Sequence, residues 1–383
     1  MKRFFTTLFC AAALFSVTSC DEVEDVIDEV IDDNDSDDSD DDDVITYESY
    51  IYALNSGNYG SNNATLTSYN AETEAVVETL FADQNGMGLG DTAQDMLVFG
   101  DKIFISVYNS GIIFVTDLEG ELVAQIVDDS YTMPRYLTSD DDYVYVSYYD
   151  GGVAKIDPST ATIVAKSAVS INPEQLVEVD GYLYITISGY NIADRNKVDV
   201  YDTATLTYQK SIVIVDNPTI IEADGKGNLY AISMGNYGYG DPAIYATLQK
   251  IEIATETVSV ISVSENSEVL PSAIVMGNDD KLYIVAGMSN ASTGWEMVGD
   301  IYAYDVNTAE ISTFISDGTS VPSIYSISTD LVTGDVYVGS SSYSATGDMY
   351  IYNASGAYQS KFSVGINPIK AISLSVPVEE AEE

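Results

Sequence analysis

Residues 180–202 read DGYLYITISGYNIADRNKVDVYD, and this stretch holds one unit of the repeat that decides the fold. An Asp-Gly turn precedes an aliphatic–aromatic–aliphatic strand motif, and a loop then leads to a second strand motif that ends in an acidic residue. The first motif occurs seven times, as Ile51-Tyr52-Ala53, Ile103-Phe104-Ile105, Val144-Tyr145-Val146, Leu183-Tyr184-Ile185, Leu229-Tyr230-Ala231, Leu282-Tyr283-Ile284 and Val336-Tyr337-Val338. The second motif ends in Asp, Asn or Glu and alternates with the first, at Leu66 to Asn70, Phe114 to Asp117, Val153 to Asp157, Val198 to Asp202, Leu248 to Glu252, Ile301 to Asp305 and Met349 to Asn353.

Each unit is predicted to form four short strands. The first strand opens after a proline, as at Pro134, Pro173, Pro218, Pro271, Pro322 and Pro368. The aromatic motif is the second strand, the acidic-ended motif is the third, and a Val/Ile/Thr-rich fourth strand follows. Short strands that recur about every forty to fifty residues are typical of propeller blades. We therefore predict an all-β fold, a seven-bladed β-propeller over residues 44–378, followed by a short acidic tail at 379–383.

The two ends of the predicted domain indicate how the ring closes. The domain begins at the second strand of a blade, Tyr50 to Asn55, and ends with a lone first-strand motif, Asn367 to Leu374. We expect the last strand to complete the first blade, because that pairing leaves no open sheet edge between the termini.

The N-terminus has the features of an export signal. Lys2 and Arg3 precede an apolar segment, Phe4 to Ser16, that is short for a membrane-spanning helix. Small residues then lead into Cys20, a pattern that resembles the bacterial lipobox, in which the signal is cut before the cysteine and the thiol is acylated. The resemblance implies a signal peptide at 1–19 and a lipid anchor on Cys20; the alternative is an ordinary secretory signal. Without the leader no second cysteine remains for a disulfide or a thiolate metal site.

An acidic segment follows Cys20. Residues 21–43 are rich in Asp, and like charges at this density favour an extended, solvated chain, so we predict a disordered tether over 20–43. The segment lacks the glycine and distal glutamate of an EF-hand loop, so we expect no specific calcium site and at most loose ion binding. Acidic residues behind a lipidated cysteine also resemble the surface-export signal of Bacteroidetes lipoproteins, which implies an outer-membrane location facing outward.

The long loops of the predicted propeller cluster on one face. Loops between second and third strands, and between fourth and first strands, share a face, and here they are rich in Tyr, Gly, Ser and Asn, residues that give adaptable binding surfaces. Polar residues also occur where first strands begin, at the channel mouth: Asp91, Gln94, Asp95, Arg135, Glu174, Gln175 and Lys370. The candidate ligand-binding residues are Asn58, Tyr59, Gln94, Arg135, Tyr149, Glu174, Tyr190, Tyr237, Tyr239, Trp295 and Tyr343. The alternatives are that these residues merely build loops and that Arg135 and Lys370 form structural ion pairs.

Several kinds of chemistry are absent from the composition. The chain has no histidine, which removes Ser-His-Asp triads, histidine zinc sites and the usual general base. It has no glycine-rich phosphate loop between a strand and a helix. Paired carboxylates remain as a catalytic option, but so acidic a chain always contains such pairs, and they do not distinguish an enzyme from a binding protein. With 61 acidic residues against 14 basic ones, the net charge of −47 disfavours nucleic acid. We predict no cofactor, no bound metal and no enzyme activity.

Three short runs resemble a known family: Asn55-Ser-Gly-Asn-Tyr59-Gly, Leu89-Gly-Asp91-Thr92-Ala-Gln94-Asp95-Met96 and Val107-Tyr-Asn109-Ser110. They are similar to the opening of the YncE-like propeller lipoproteins of Bacteroidetes, a family of domains of unknown function, and the Asn-Pro starts at Asn172, Asn217 and Asn367 are typical of the wider group. This family includes the BtuG-type surface lipoproteins, which capture vitamin B12 and related corrinoids and pass them to a TonB-dependent outer-membrane transporter. The resemblance implies a surface propeller that captures a nutrient, with a corrinoid as the first ligand to test.

Two other functions remain open at this stage. The propeller could dock other surface proteins or glycans without capturing a nutrient, or it could be a lyase or glycosidase. The absent histidine weighs against the enzyme, and a propeller fold alone does not decide among these functions.

Overall fold

A computed structural model describes residues 46–189, 192–288 and 298–378 of the chain. The described part is all-β apart from one short helix, α1 (Leu80–Asn85). The strands are β1 (Thr46–Asn55), β2 (Thr65–Asn70), β3 (Val76–Val77), β4 (Ala93–Phe99), β5 (Lys102–Val107), β6 (Ile112–Thr116), β7 (Leu122–Ile126), β8 (Pro134–Ser139), β9 (Val144–Tyr148), β10 (Gly152–Asp157), β11 (Thr162–Ala168), β12 (Pro173–Val179), β13 (Tyr182–Ile187), β14 (Lys197–Asp202), β15 (Thr207–Val213), β16 (Pro218–Ala223), β17 (Asn228–Ser233), β18 (Thr247–Glu252), β19 (Thr257–Ile261), β20 (Leu270–Met276), β21 (Lys281–Met288), β22 (Val298–Asp305), β23 (Ile311–Thr313), β24 (Ile324–Thr329), β25 (Val336–Ser340), β26 (Gly347–Tyr352), β27 (Tyr358–Val364) and β28 (Pro368–Val378).

The strands form seven four-stranded antiparallel sheets, which confirms the seven-bladed propeller. Blade 1 has the order β28-β1-β2-β3, and blades 2 to 7 are the consecutive quartets β4–β7, β8–β11, β12–β15, β16–β19, β20–β23 and β24–β27. The first strand of each quartet, together with β28, contacts its counterpart in the next blade, so these seven strands surround the central channel. Within the described ranges no helix is long and apolar enough to cross a membrane.

The repeated aromatic residue of each second strand explains why the blades assemble. Every one of these rings is buried and packs with the aliphatic residues that flank the corresponding ring in the next blade. Tyr52 of blade 1 lies with Ile103 and Ile105 of blade 2, and Tyr283 of blade 6 lies with Val336 and Val338 of blade 7. The second strands are therefore buried on both faces, which accounts for their continuous apolar motif.

The outer strands follow a different rule. In β11 half-buried and exposed positions alternate along the whole strand, as expected for a strand with one face toward the protein and one in water. The acidic or amide residues that end the third strands begin turns, as predicted: Asp117 accepts a hydrogen bond from the Glu121 amide at 2.8 Å, and Asp202 accepts one from the Thr205 amide at 2.8 Å.

The C-terminal strand closes the ring, as predicted. β28 pairs antiparallel with β1 from Thr46 opposite Val378 to Asn55 opposite Pro368. On the face of blade 1 that contacts blade 7, Tyr337 of blade 7 packs with Ile51 and Ala53 of blade 1. Because β2 pairs with β1 only from Tyr50 onward, the first residues of β1 and the last residues of β28 form a two-stranded ribbon at the edge of the ring.

Candidate functional site

Two faces of the propeller differ in their loops. The face where second strands lead into third strands, and fourth strands into first strands, is called the long-loop face. The opposite face, where first strands turn into second strands, is called the short-turn face, and it includes the turns at Asp180 and Asp224. Tyr59 and Tyr239 of the long-loop face are 74 % and 76 % exposed, and Tyr237 and Tyr343 are also exposed. Two predicted residues of this face, Tyr190 and Trp295, lie outside the described residues, as does Cys20.

The loop of blade 1 that carries Tyr59 is tied to blade 2 by Asp91. The Asp91 carboxylate accepts hydrogen bonds from the Gly60 amide at 3.1 Å, from the Thr92 hydroxyl at 2.8 Å and from the Asn109 side chain at 2.8 Å. Although burial raises the pKa of Asp91, these hydrogen bonds outweigh that effect and lower it, so the carboxylate stays ionised at neutral pH. The Asp91 carboxylate therefore links the loop of blade 1 to blade 2.

Asn58 belongs to the ring closure. The Asn367 side chain donates to the Gly57 carbonyl at 2.9 Å and to the Asn58 side-chain oxygen at 3.3 Å, while its own oxygen accepts a hydrogen bond from Ser341 at 2.6 Å. Asn367 adopts a φ of +57°, a left-handed conformation that asparagine tolerates. This Asn-Pro start therefore joins loops of blades 7 and 1, and Asn58 lies where they meet.

The loop of blade 5 that carries Tyr237 and Tyr239 folds onto itself. Asn236 donates from its side chain to the Pro242 carbonyl at 2.9 Å and accepts from the Ile244 amide at 2.8 Å. A Cβ at Gly238, whose φ is +75°, would lie 2.5 Å from the Tyr245 ring, so another residue would strain the backbone and displace that ring. The exposed ring of Tyr239 is thus presented on an ordered loop.

Arg135 contacts three other predicted residues of blades 2 to 4, namely Gln94, Tyr149 and Glu174. Its Nε donates to the Glu174 carboxylate at 2.9 Å, its Nη2 contacts the same carboxylate, and its Nη1 donates to Gln94 at 2.9 Å. The side chains of Arg135 and Glu174 are 19 % and 7 % exposed. Burial lowers the pKa of Arg135, but the Glu174 carboxylate more than compensates and raises it, which keeps the guanidinium cationic. The expected structural pairing of Arg135 is therefore present, with Glu174 as its partner.

Aromatic rings surround the Arg135 guanidinium. Its central carbon lies 5.1 Å from the centroids of Tyr108 and Tyr149 and 5.6 Å from that of Tyr136, within the range of cation–π attraction. The pKa of Tyr108 is raised by burial, opposed by Arg135, and raised further by Tyr149 and Tyr59, so these side chains share one neighbourhood. The cluster Tyr59, Tyr108, Arg135 and Tyr149 is called the arginine–tyrosine cluster.

The arginine–tyrosine cluster has the chemistry of a binding surface. It offers half-buried and exposed rings for apolar contact around one cation, and three of the five guanidinium donors are engaged. The remaining donors suit an amide or phosphate oxygen of a ligand. Within the described ranges no group of three or more His, Cys, Asp or Glu residues could hold a metal ion.

A large cavity lies in the central channel, and only Gln94 of the predicted residues lines it. Its volume is about 800 Å³, and its walls come mainly from β16, β20, β24 and β28. They include the noted mouth residues Asp95, Gln175 and Lys370, and also Tyr136, Glu222 and Tyr325, which the sequence reasoning missed.

Two signals in the sequence point to the missed residues. Tyr325 is the second residue of β24, the position that Arg135 holds in β8, so aligning the first strands at their opening residues finds it. Glu222 is the sole charged residue of β16 (PTIIEA), a strand that lines the channel. A charge within an otherwise apolar inner strand signals a polar group inside the ring.

Comparison with solved structures gives propellers of several kinds. A quinonprotein alcohol dehydrogenase-like protein of Bacteroides thetaiotaomicron is 16 % identical, with a TM-score of 0.57 over 87 % of this chain and 77 % of that one. Kuenenia stuttgartiensis hydrazine synthase is 16 % identical, with a TM-score of 0.54 over 67 % of this chain and 74 % of that one. Virginiamycin B lyase of Staphylococcus aureus is 14 % identical, with a TM-score of 0.53 over 70 % of this chain and 83 % of that one.

At these identities the likeness concerns the fold alone. No curated protein matches the sequence. One family model, by contrast, matches residues 50–371 and so spans nearly all of the propeller. The chain therefore belongs to the family described as Domain of unknown function (DUF5074).

Proposed function

We propose that this protein is a surface lipoprotein whose long-loop face captures a nutrient for a TonB-dependent outer-membrane transporter, with a corrinoid as the ligand. The observation that carries the proposal is the arginine–tyrosine cluster, where Arg135 lies 5.1 Å from the rings of Tyr108 and Tyr149 beside the exposed Tyr59. Aromatic and arginine side chains dominate the energetics of binding surfaces. A corrinoid presents a broad rigid ring with peripheral amides, which matches such a surface in both apolar area and acceptor oxygens.

The charge of the protein restricts the ligand class. The chain carries −47 overall, and a polyanionic ligand such as nucleic acid would be repelled. Arg135, the cation of the arginine–tyrosine cluster, is already neutralised by Glu174. The cluster thus suits a neutral ligand that offers single acceptor oxygens and apolar rings.

The test is calorimetry of the mature chain carrying Cys20→Ser, which keeps the protein soluble, against cyanocobalamin, cobinamide and a glycan panel. We expect saturable binding of both corrinoids, weakened by Tyr59→Ala. Binding of a glycan in place of the corrinoids would favour the alternative of a surface docking module, and binding of neither would remove the nutrient proposal. A neighbouring gene for a TonB-dependent receptor would supply the partner to test next.

A further inference from the structure

The central channel holds a cavity that adjoins Arg135 through Gln94 and Tyr136 and extends toward the short-turn face. Its cavity of about 800 Å³ lies within the usual size range of small-molecule pockets. The cavity wall continues to the short-turn face, where the lining residues Gly225, Asn278 and Leu331 are exposed. A small solute can therefore enter from the side opposite the arginine–tyrosine cluster.

The charges inside this cavity do not cancel. The Lys370 ammonium pairs with the Asp95 carboxylate at 2.6 Å, which leaves Glu222 as the remaining carboxyl group of the channel interior. Glu222 accepts a hydrogen bond from the Gln175 amide at 3.1 Å, and no Lys or Arg of the described chain lies within ion-pair distance of it. The channel interior thus contains one carboxyl group more than it contains cations.

The rim of the cavity adds to this excess. Asp224 and Asp280 line the cavity where it approaches the short-turn face. Asp280 is paired with Lys226 at 2.7 Å, whereas the Asp224 carboxylate accepts hydrogen bonds from the neutral side chain and amide of Asn228. A cation that approaches the channel therefore meets a favourable potential from the rim inward.

Two tyrosines complete the cavity. Tyr136 and Tyr325 line it from β8 and β24, and burial raises the pKa of both hydroxyls, so both rings stay neutral. In the described part of the chain neither hydroxyl has a hydrogen-bond partner. Neutral aromatic rings attract cations through their faces, and free hydroxyls can accept hydrogen bonds from an ammonium group.

We propose that the channel binds a small organic monocation, with Glu222 as its counter-ion and the rings of Tyr136 and Tyr325 beside it. One positive charge restores neutrality to the channel interior, whereas an anion would oppose both Glu222 and Asp224. The site requires no metal and no covalent step.

The protonation of Glu222 gives the site a pH dependence. Burial raises the pKa of Glu222 to about 7, Lys370 and the Gln175 hydrogen bond oppose this, and Asp95 adds to it. A bound cation favours the ionised carboxylate, so binding below that pH releases a proton and affinity rises as the pH increases through 7. Asp95, Lys370, Asp224, Asp280, Tyr136 and Tyr325 also face the cavity.

The experiment compares choline with its neutral isostere 3,3-dimethyl-1-butanol by calorimetry, on the mature chain carrying Cys20→Ser. We expect choline to bind and the isostere to fail, because the two differ in charge and not in shape. Glu222→Gln should weaken choline binding about tenfold or more, and Tyr325→Leu about three- to tenfold. Glu265→Gln, which removes an exposed carboxylate outside the channel, should leave the affinity unchanged.

Three outcomes would overturn the channel site. They are the absence of saturable choline binding up to about 10 mM, equal binding of choline and its isostere, and wild-type affinity in a folded Glu222→Gln variant. Thermal melting of each variant establishes that it is folded before its affinity is interpreted. Tyr239→Ala, on the long-loop face, should leave choline binding intact, so the channel site and the capture function are tested separately.

Discussion

The ring of Tyr69 in blade 1 stacks on the ring of Phe362 in blade 7, with centroids 4.5 Å apart and planes 1° from parallel. Both residues are buried, and they share a cluster with Ile51, Met349 and Ala371. The stack therefore joins the first blade to the last across the point where the ring closes.

Phe362→Ala should destabilise the propeller severely. The substitution removes a buried aromatic side chain and leaves a cavity between blades 7 and 1, a change that costs roughly 3–5 kcal/mol in protein cores. The free energy of unfolding from urea titration measures the loss. Val332→Ala, at a position 89 % exposed on a turn, is the matched control and should change stability by less than about 0.5 kcal/mol. Equal stability of the two variants would contradict closure through this contact.

Arg135 and Glu174 should behave as one unit in stability measurements. Arg135→Met leaves the Glu174 carboxylate buried without its cation, so we expect a loss of roughly 3–5 kcal/mol. Glu174→Gln in the same chain should recover much of that loss, because it removes the unpaired charge and keeps the hydrogen bond from Ser188. Urea unfolding of the two single variants and the double variant gives the coupling energy. Additive effects would show that the pair does not act together.

The exposed tyrosines of the long-loop face should affect ligand binding and not folding. Tyr59→Ala and Tyr239→Ala remove rings that are mostly in water, so each should change the unfolding free energy by less than about 0.5 kcal/mol. For a captured ligand, at least one of them should weaken affinity by about 2 kcal/mol, as aromatic anchors do. Calorimetry and thermal melting on the same samples separate the two effects. Asp180→Ala on the short-turn face serves as the control. If only this variant lost affinity, the ligand would bind the short-turn face and the assignment to the long-loop face would be wrong.

Glu222 should make stability depend on pH. Its pKa is about 7 in the folded state and near 4.5 in an unfolded chain, so the folded protein binds the extra proton between these values. Stability contributed by this group is full below pH 4.5 and is lost as pH rises toward 7. Glu222→Gln should therefore stabilise the protein above pH 7, by roughly 1–3 kcal/mol after screening by channel water, and the gain should vanish near pH 4.5. A gain that is independent of pH would exclude titration of Glu222 as the cause.

Cys20→Ala should release the protein from the membrane fraction. The thiol is the expected acylation point, and the described propeller contains no helix that could hold it in a bilayer. Fractionation of cells that express the wild type and the variant measures the distribution. Retention of the variant in the outer membrane would refute attachment through Cys20.

The propeller could be predicted because its repeat is carried by residues with the same physical task in every blade. Tyr184 packs against Leu229 and Ala231 just as Tyr145 packs against Leu183 and Ile185. An interface repeated seven times leaves seven copies of one motif. The pairing of the C-terminal strand could also be predicted. A first strand that has no second strand of its own leaves its edge unpaired unless it pairs with β1.

The site was harder to predict because it depends on contacts between distant blades. Arg135 and Glu174 were both predicted at the channel mouth, but they are 39 residues apart, and no local pattern indicates that they pair. Gln175 and Lys370 were predicted at the channel mouth, but Glu222 was missed for a related reason. Each inner strand supplies one or two polar groups, and only the closed ring brings Glu222 near Gln175 and Lys370. Local patterns do not encode a convergence of this kind.

The ribbon at the start of β1 determines how the propeller responds to mechanical force. Thr46 to Ser49 pair with β28, and from Tyr50 onward β1 lies between β28 and β2. The hydrogen bonds of antiparallel strands run perpendicular to the strand direction, so a pull along β1 from its N-terminal end loads them together rather than one after another. The chain thus enters the ring in a shear geometry, in which the strand that bears the load is also among the most extensively bonded in the molecule.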